Sequence, residues 1–165
     1  LYFRKYEPPS GIPTFNVKLV NSQGQLLTGG SLQYYDGGWK AAVNNGDGTF
    51  PVKTERSTVS LRMSYEGGNE TRQNVLVTNV TVVFQTTLVK VQLQNSKGQL
   101  IDQGLIQYYT GGWKDFGVTS RGVATKELLP LTYTFRGTYQ GVSTDLQQDI
   151  SRNNSIIIQL NTGTK

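Results

Sequence analysis

Apolar and polar residues alternate with a period of two through much of this chain. Phe15, Val17 and Leu19 alternate with Asn16, Lys18 and Val20, and Val89, Val91 and Leu93 alternate with Lys90, Gln92 and Gln94. Val59, Leu61, Met63 and Tyr65 take one phase while Ser60, Arg62 and Ser64 take the other; further along, the inward set becomes Tyr133, Phe135, Gly137 and Tyr139. Val80, Val82 and Phe84 form another such set, matched by Asn154, Ile156 and Ile158. Successive side chains of a strand face opposite sides, so each run predicts a strand with one buried face. No segment carries apolar residues at i, i+3, i+4 and i+7 for three turns, and β-branched residues crowd the apolar stretches, which argues against helix. Turn chemistry separates the runs at Ser22-Gln23-Gly24, Asp36-Gly37-Gly38, Asn45-Gly46-Asp47-Gly48 and Glu66-Gly67-Gly68-Asn69.

The runs come in matched pairs because the chain repeats itself. Shifted by 74 residues, Asn21 to Leu27 lands on Asn95 to Ile101, and Gln33 to Lys40 (QYYDGGWK) lands on Gln107 to Lys114 (QYYTGGWK). Between Val17 and Thr87, 23 of 71 positions are identical at this fixed offset without a gap; chance would give about four or five. That period is too long for a solenoid unit and suits one small domain. Each copy holds six or seven short strands broken every 8–12 residues or so, the pattern of a β-sandwich. The stretch Val82 to Lys90 has no Gly or Pro, so the last strand of the first copy is expected to run almost directly into the second copy as a short, stiff link. The expected division is residues 1–13 as a linker or cloning remnant, with Pro8, Pro9, Gly11 and Pro13, then repeat 1 over 14–87 and repeat 2 over 88–165. The expected fold is all-β, two tandem immunoglobulin-like (prealbumin-like) antiparallel β-sandwiches forming a rod-like pair.

The order of elements resembles the prealbumin-like modules known as carboxypeptidase regulatory-like and collagen-adhesin B-type repeats. The residues that carry the likeness are Gly24-Gln25-Leu26 and Gly98-Gln99-Leu100, then Gly48-Thr49-Phe50 and Gly122-Val123-Ala124, then the closing strands Val59 to Tyr65 and Tyr133 to Tyr139. The resemblance implies stalks, spacers or adhesive repeats of secreted and surface-anchored bacterial proteins. It also raises a Lys–Asn isopeptide bond on the first strand. Lys18 aligns with Gln92 and Lys90 with Asn16, both on the outward phase, and no acid sits in the expected partner strand of repeat 2, so no such bond is expected.

Composition narrows the chemistry. The chain has no cysteine and no histidine, which removes disulfides, thiolate metal sites and the usual general base. A net charge of +5 from 16 basic and 11 acidic residues is thinly spread, without the Lys/Arg runs of a nucleic-acid surface. No apolar run approaches the roughly 18–20 residues of a bilayer span. The repeat also tests paired-carboxylate catalysis: none of the acids is shared between the copies, so none can carry chemistry common to both, and all read as solvated surface groups. Asn44 to Gly48 hints at an oxygen-rich calcium loop, but Arg121 replaces Asp47 in repeat 2, and a tight turn explains both copies. No catalytic residue, metal site or cofactor is expected.

The densest identity, QYY-x-GGWK, is the one candidate ligand site. With a two-residue Gly-Gly loop, Trp39 joins Tyr34 on the core face; with a three-residue Asp-Gly-Gly loop, Trp39 opposes Tyr35 and both lie outside. Either register fits. The expectation is that Trp39 and Trp113 plug the cores or their rims. The alternative is an exposed platform of Tyr35, Trp39 and Lys40, with Tyr109, Trp113 and Lys114, that stacks a sugar ring. Arg62 and Arg136 are expected in a cross-strand ion pair or against an aromatic face. The reading is a non-catalytic, secreted or cell-surface stalk or adhesive spacer, a monomer whose partners are other repeats of its parent chain. The alternative is a carbohydrate-binding accessory module of a polysaccharide-active enzyme.

Overall fold

The computed structural model describes residues 14–77 and 81–162; the linker reading of residues 1–13 and the inward assignment of Val80 lie outside them. The described residues form fourteen strands, seven from each copy. Repeat 1 contributes β1 (Thr14–Val20), β2 (Ser31–Tyr35), β3 (Trp39–Ala41), β4 (Thr49–Lys53), β5 (Thr58–Tyr65), β6 (Gly68–Leu76) and β7 (Val82–Gln85). Repeat 2 contributes β8 (Thr87–Gln94), β9 (Leu105–Tyr109), β10 (Trp113–Val118), β11 (Val123–Leu128), β12 (Thr132–Tyr139), β13 (Val142–Asp149) and β14 (Ser155–Gln159). Each set builds a three-stranded sheet, β4-β1-β7 or β11-β8-β14, and a four-stranded sheet, β3-β2-β5-β6 or β10-β9-β12-β13. The chain is a tandem pair of β-sandwiches.

One feature departs from the all-antiparallel expectation. β7 pairs parallel with β1, and β14 pairs parallel with β8. A closing strand parallel to the opening one leaves the sandwich at the end opposite to where the chain entered. In repeat 1, Thr14 opposes Lys53 at the entry end (the top), whereas Val20 opposes Gln85 at the exit end (the base). Thr86 alone separates β7 from β8, so the second sandwich starts where the first stops.

The period-two sets become the cores. Phe15, Val17, Leu19, Phe50, Val52 and Phe84 from one sheet meet Leu32, Val59, Leu61 and Met63 from the other. In repeat 2, Val89, Val91, Leu93, Ala124, Ile156 and Ile158 meet Ile106, Tyr108, Phe116, Tyr133 and Phe135. Phe116 reaches the core through a register shift between Asp115 and Gly117, a bulge that re-aims one side chain.

The most repeated turn has a specific cause. Asn21 Oδ1 accepts the backbone N–H groups of Gln23 and Gln25 at 2.9 and 3.0 Å, and its amide donates to Gln25 Oε1 at 3.2 Å. Asn95 does the same with Lys97 and Gln99, each at 2.9 Å. Such side-chain turns fix the loop locally, and Gly24 and Gly98 supply φ values of 82° and 80° that a side chain would resist. The Asn44–Gly48 loop is a turn of the same kind: Asn44 Oδ1 accepts Gly46 N–H at 2.8 Å and Asp47 Oδ1 accepts Thr49 N–H at 3.0 Å.

Candidate functional site

The hairpin tip decides the fate of the aromatic block. Tyr35 opposes Trp39 and Tyr34 opposes Lys40, with Asp36 N–H donating to Gly38 O at 2.9 Å. The loop is therefore Asp-Gly-Gly; in repeat 2 it is Thr-Gly-Gly, with Tyr109 opposite Trp113 and Tyr108 opposite Lys114. Strand alternation then sends Tyr34 and Tyr108 inward and Tyr35, Trp39, Tyr109 and Trp113 outward. Both tryptophans are 37% exposed. They do not plug the cores, which corrects the core half of the core-or-rim expectation: a third loop residue reverses the facing of the whole returning strand. Tyr108 and its aromatic neighbours fill repeat 2 instead.

Each outward pair is an edge-to-face unit. Ring centroids lie 5.5 Å apart for Tyr35–Trp39 and 5.3 Å for Tyr109–Trp113. Arg62 lies over the Trp39 ring at 4.0 Å and Arg136 over Trp113 at 3.9 Å, as expected for shared arginines on the outward phase of β5 and β12. Their second partners differ. Arg62 Nε donates to Thr71 Oγ1 at 3.3 Å, whereas Arg136 Nε and Nη2 grip Asp145 at 2.7 and 3.0 Å. That fork holds the Asp145 carboxyl below its ordinary value. Among the described residues, repeat 1 thus stacks on its tryptophan a guanidinium without a carboxylate partner, and repeat 2 stacks a neutralised one.

Lys40 and Lys114 do not belong to these platforms. One residue past the tryptophan, they take the opposite phase of the strand. Lys40 lines an open cavity of about 660 Å³ at the top of repeat 1, with Tyr34, Asp36, Lys53, Thr54, Glu55 and Arg56. There Arg56 and Thr54 hydrogen-bond Asp36 and hold its carboxyl below the ordinary value.

The equivalent face of repeat 2 is covered. It packs on the base of repeat 1 and forms a joint that composition and motif left unannounced. Glu127 Oε1 accepts Ser22 N–H at 2.6 Å and the Thr86 hydroxyl at 2.8 Å, and Oε2 accepts the Ser22 hydroxyl at 2.8 Å. Tyr108 donates its hydroxyl to Glu66 O at 2.8 Å and Thr110 donates to Gly67 O at 2.7 Å. Burial first, then the Glu66 carboxylate, pushes the Tyr108 phenol up to about 12. Lys126 runs along the rim, its Nζ 3.7 Å from Glu66 Oε2. Leu129 is fully buried and belongs to the core of repeat 1, with Leu131 beside it. Several acids read as solvated are in fact engaged: Glu127 closes the joint, Asp145 clamps Arg136 and Asp36 clamps Arg56. The joint combines shared residues (Ser22, Gly67 and Tyr108, matched by Ser96, Gly141 and Tyr34) with unshared ones (Glu127, Leu129 and Thr86), so identity between the copies did not mark it. The usable signal was Leu128-Leu129-Pro130-Leu131, an apolar loop where repeat 1 has Thr54-Glu55-Arg56-Ser57.

Chemically, these surfaces offer aromatic stacking, guanidinium charge and a polar-rimmed joint. Among the described residues no cluster of three or more Asp or Glu could hold a metal ion, and no helix is long and apolar enough to cross a membrane.

No protein-family model and no curated protein sequence matches the chain. Among solved structures it is similar to the Bacillus anthracis TIE protein, at 12% identity and TM-score 0.36 over 91% of this chain and 33% of that one. It is similar to a streptococcal ancillary pilin at 12% identity and TM-score 0.31, over 96% and 65%. It is also similar to a C-terminal fragment of the pilus adhesin SpaC from Lactobacillus rhamnosus GG, at 10% identity and TM-score 0.33, over 92% and 97%. The chain thus spans a third of the first of these proteins and just under two thirds of the second.

Proposed function

We propose that this chain is a non-catalytic spacer of a larger secreted or cell-surface protein, a stalk segment or adhesive repeat that holds its sandwiches in fixed relation. One observation carries the reading: the strand-to-strand joint, with a single residue between β7 and β8, a three-fold acceptor at Glu127 and Leu129 sunk in the neighbouring core. A tether would spend neither a buried leucine nor a matched set of hydrogen bonds on the connection. Entry and exit at opposite ends of each sandwich suit transmission along the chain.

The test uses the absence of native cysteine. Spin labels on cysteines placed at the exposed Val43 and Ile157 report the distance between repeats. A single narrow distribution is expected, broadening in the Glu127→Ala/Leu129→Ala variant. A broad distribution in the otherwise unaltered chain would remove the basis of the reading.

A second reading, carbohydrate binding, draws on the Tyr35–Trp39–Arg62 and Tyr109–Trp113–Arg136 units, which present the same three side chains outward in both repeats. Aromatic faces suit the C–H faces of pyranoses. Iodide quenching of the tryptophans and retention on insoluble polysaccharides, lost in Trp39→Ala/Trp113→Ala, are the expected results. Absence of retention on every glycan tried would leave the spacer reading alone.

A further inference from the structure

The two faces that meet at the joint each have a counterpart at an outer end of the pair, related by the internal repeat. The top of repeat 2 uses Glu127, Leu129 and Leu131; the top of repeat 1 carries Lys53, Glu55 and Ser57 in those places. The base of repeat 1 uses Gly68 and Thr86; the base of repeat 2 carries Val142 and Leu160. We infer that the joint is addressed: the base of repeat 1 and the top of repeat 2 are a matched pair, and neither outer end can form the same joint with another copy of this chain. The inference rests on the joint's geometry and stands whether or not the parent protein is a stalk.

Each exchange has a physical consequence. A Cβ on Gly68 would sit 2.6 Å from the Tyr133 hydroxyl and 3.1 Å from Leu131 Cδ1. Val142 therefore blocks, at the base of repeat 2, the approach that Gly68 permits at the base of repeat 1. Leu160 lacks the hydroxyl that Thr86 donates to Glu127. Ser96, the equivalent of Ser22, already donates its own hydroxyl to Thr162 O at 2.7 Å. At the other end, Lys53 offers donors where an incoming serine needs an acceptor, and Glu55 would carry a charge into the apolar position of Leu129, which costs far more than it returns. At the top of repeat 1, Arg56 and Asp36 already pair with each other at 2.7 Å. This is discrimination by misplaced charge and bulk as well as by fit.

The test is a polarity exchange in the full chain, read by the Val43/Ile157 spin-label distance. Glu127→Lys gives repeat 2 the residue of repeat 1 at the rim, where burial does not decide folding, and the narrow distribution should broaden. Adding Ser22→Asp supplies an acceptor for that lysine and should narrow it again. A merely structural role for Glu127 gives no such rescue. Gly68→Val should broaden the distribution as well, with circular dichroism showing strand content retained. Sedimentation of the unaltered chain at about 1 mM should show monomer. The inference is overturned by a distribution that stays narrow in Glu127→Lys, by failure of Ser22→Asp to restore it, or by end-to-end association of the unaltered chain.

Discussion

The two cores of this chain solve one packing problem in opposite ways. In repeat 1 the buried rings lie on the three-stranded sheet: Phe15, Phe50 and Phe84, with Ala42, Val59 and Leu61 on the other sheet. In repeat 2 the same six positions hold Val89, Ala124 and Ile158 on that sheet and Phe116, Tyr133 and Phe135 on the other. Bulk has crossed the sandwich while the Asn21/Asn95 turn, the register of the hairpin tip and the outward aromatic unit stayed the same. Cores tolerate exchange when total volume and pattern are kept, so the sandwich constrains the sum across facing positions and leaves open which sheet supplies it. The ends behave differently. There the repeats diverge in charge and shape together: Glu127 and Leu129 stand where repeat 1 has Lys53 and Glu55.

The sharpest break of the symmetry is at Leu129 and its counterpart Glu55. Leu129→Ala removes a fully buried side chain from the core of repeat 1 and should cost about 2–5 kcal/mol in urea unfolding. Glu55→Ala, at the exposed top, should stay within about 0.5 kcal/mol. Equal effects at the two positions would mean that Leu129 does not bridge the repeats.

Importing one core's solution into the other should cost less than breaking it. Phe84→Ile leaves repeat 1 short of volume and should destabilise it by about 1–3 kcal/mol. Leu61→Phe alone overpacks, at a similar cost. The double variant, which carries repeat 2's arrangement, should recover at least half of the summed loss in the same unfolding measurement. Strict additivity would show that the facing positions do not exchange volume. Arg72, stacked 4.0 Å from the Phe84 ring centre, sets a limit on full recovery.

These contrasts also explain how much the sequence disclosed. Strand number, most inward positions and the repeat were legible because alternation and turn residues are local: Val59, Leu61 and Met63 are all buried, as their phase requires, whereas Asn154, set inward by its match to Val80, is exposed and Val20, set on the outward phase, is buried. The facing of Trp39 was not legible. It hangs on whether Asp36 belongs to the strand or to the loop, and one residue of loop length reverses it. Lys40 was placed beside the platform by adjacency in sequence, which in a strand means the opposite face. The joint was hidden for a different reason: Glu127 and Ser22 are 105 residues apart, and nothing local says which exposed glutamate will be covered by a neighbour.

Alkali should open the joint before it opens the sandwiches. Burial and Glu66 raise the Tyr108 phenol from 10.0 to about 12, and burial raises Tyr133 as well. A group whose folded pKa is raised contributes stability that is complete below its unfolded value and lost as pH rises through the folded one. The contribution is therefore intact below about pH 10 and lost on approach to about pH 12. The Tyr108 hydroxyl reaches across to Glu66 O, so the loss falls on the contact between repeats. Spin-label distances should broaden over that range while far-ultraviolet circular dichroism holds. A simultaneous collapse of both signals would place the alkaline weakness in the cores.

The smallest expected effect separates the two aromatic units. Arg136 lies between Trp113 and Asp145, and Arg62 lies between Trp39 and the neutral Thr71. Hydrogen bonding from Arg136 holds the Asp145 carboxyl below its ordinary value of 3.8. For a group lowered in this way the contribution is present above the unfolded value and lost as pH falls through the folded one. Acid below about pH 3.8 should therefore release the Arg136 fork, leaving a guanidinium whose hold on Trp113 resembles that of Arg62 on Trp39. With Trp39→Phe the remaining Trp113 emission should change over this range; with Trp113→Phe the Trp39 emission should stay flat. Thr71→Asp should confer the acid response on repeat 1, and salt should weaken it, since the pair stands in water. A Trp39 signal that titrates without that substitution would mean that the stacked arginine is governed by something other than its carboxylate partner.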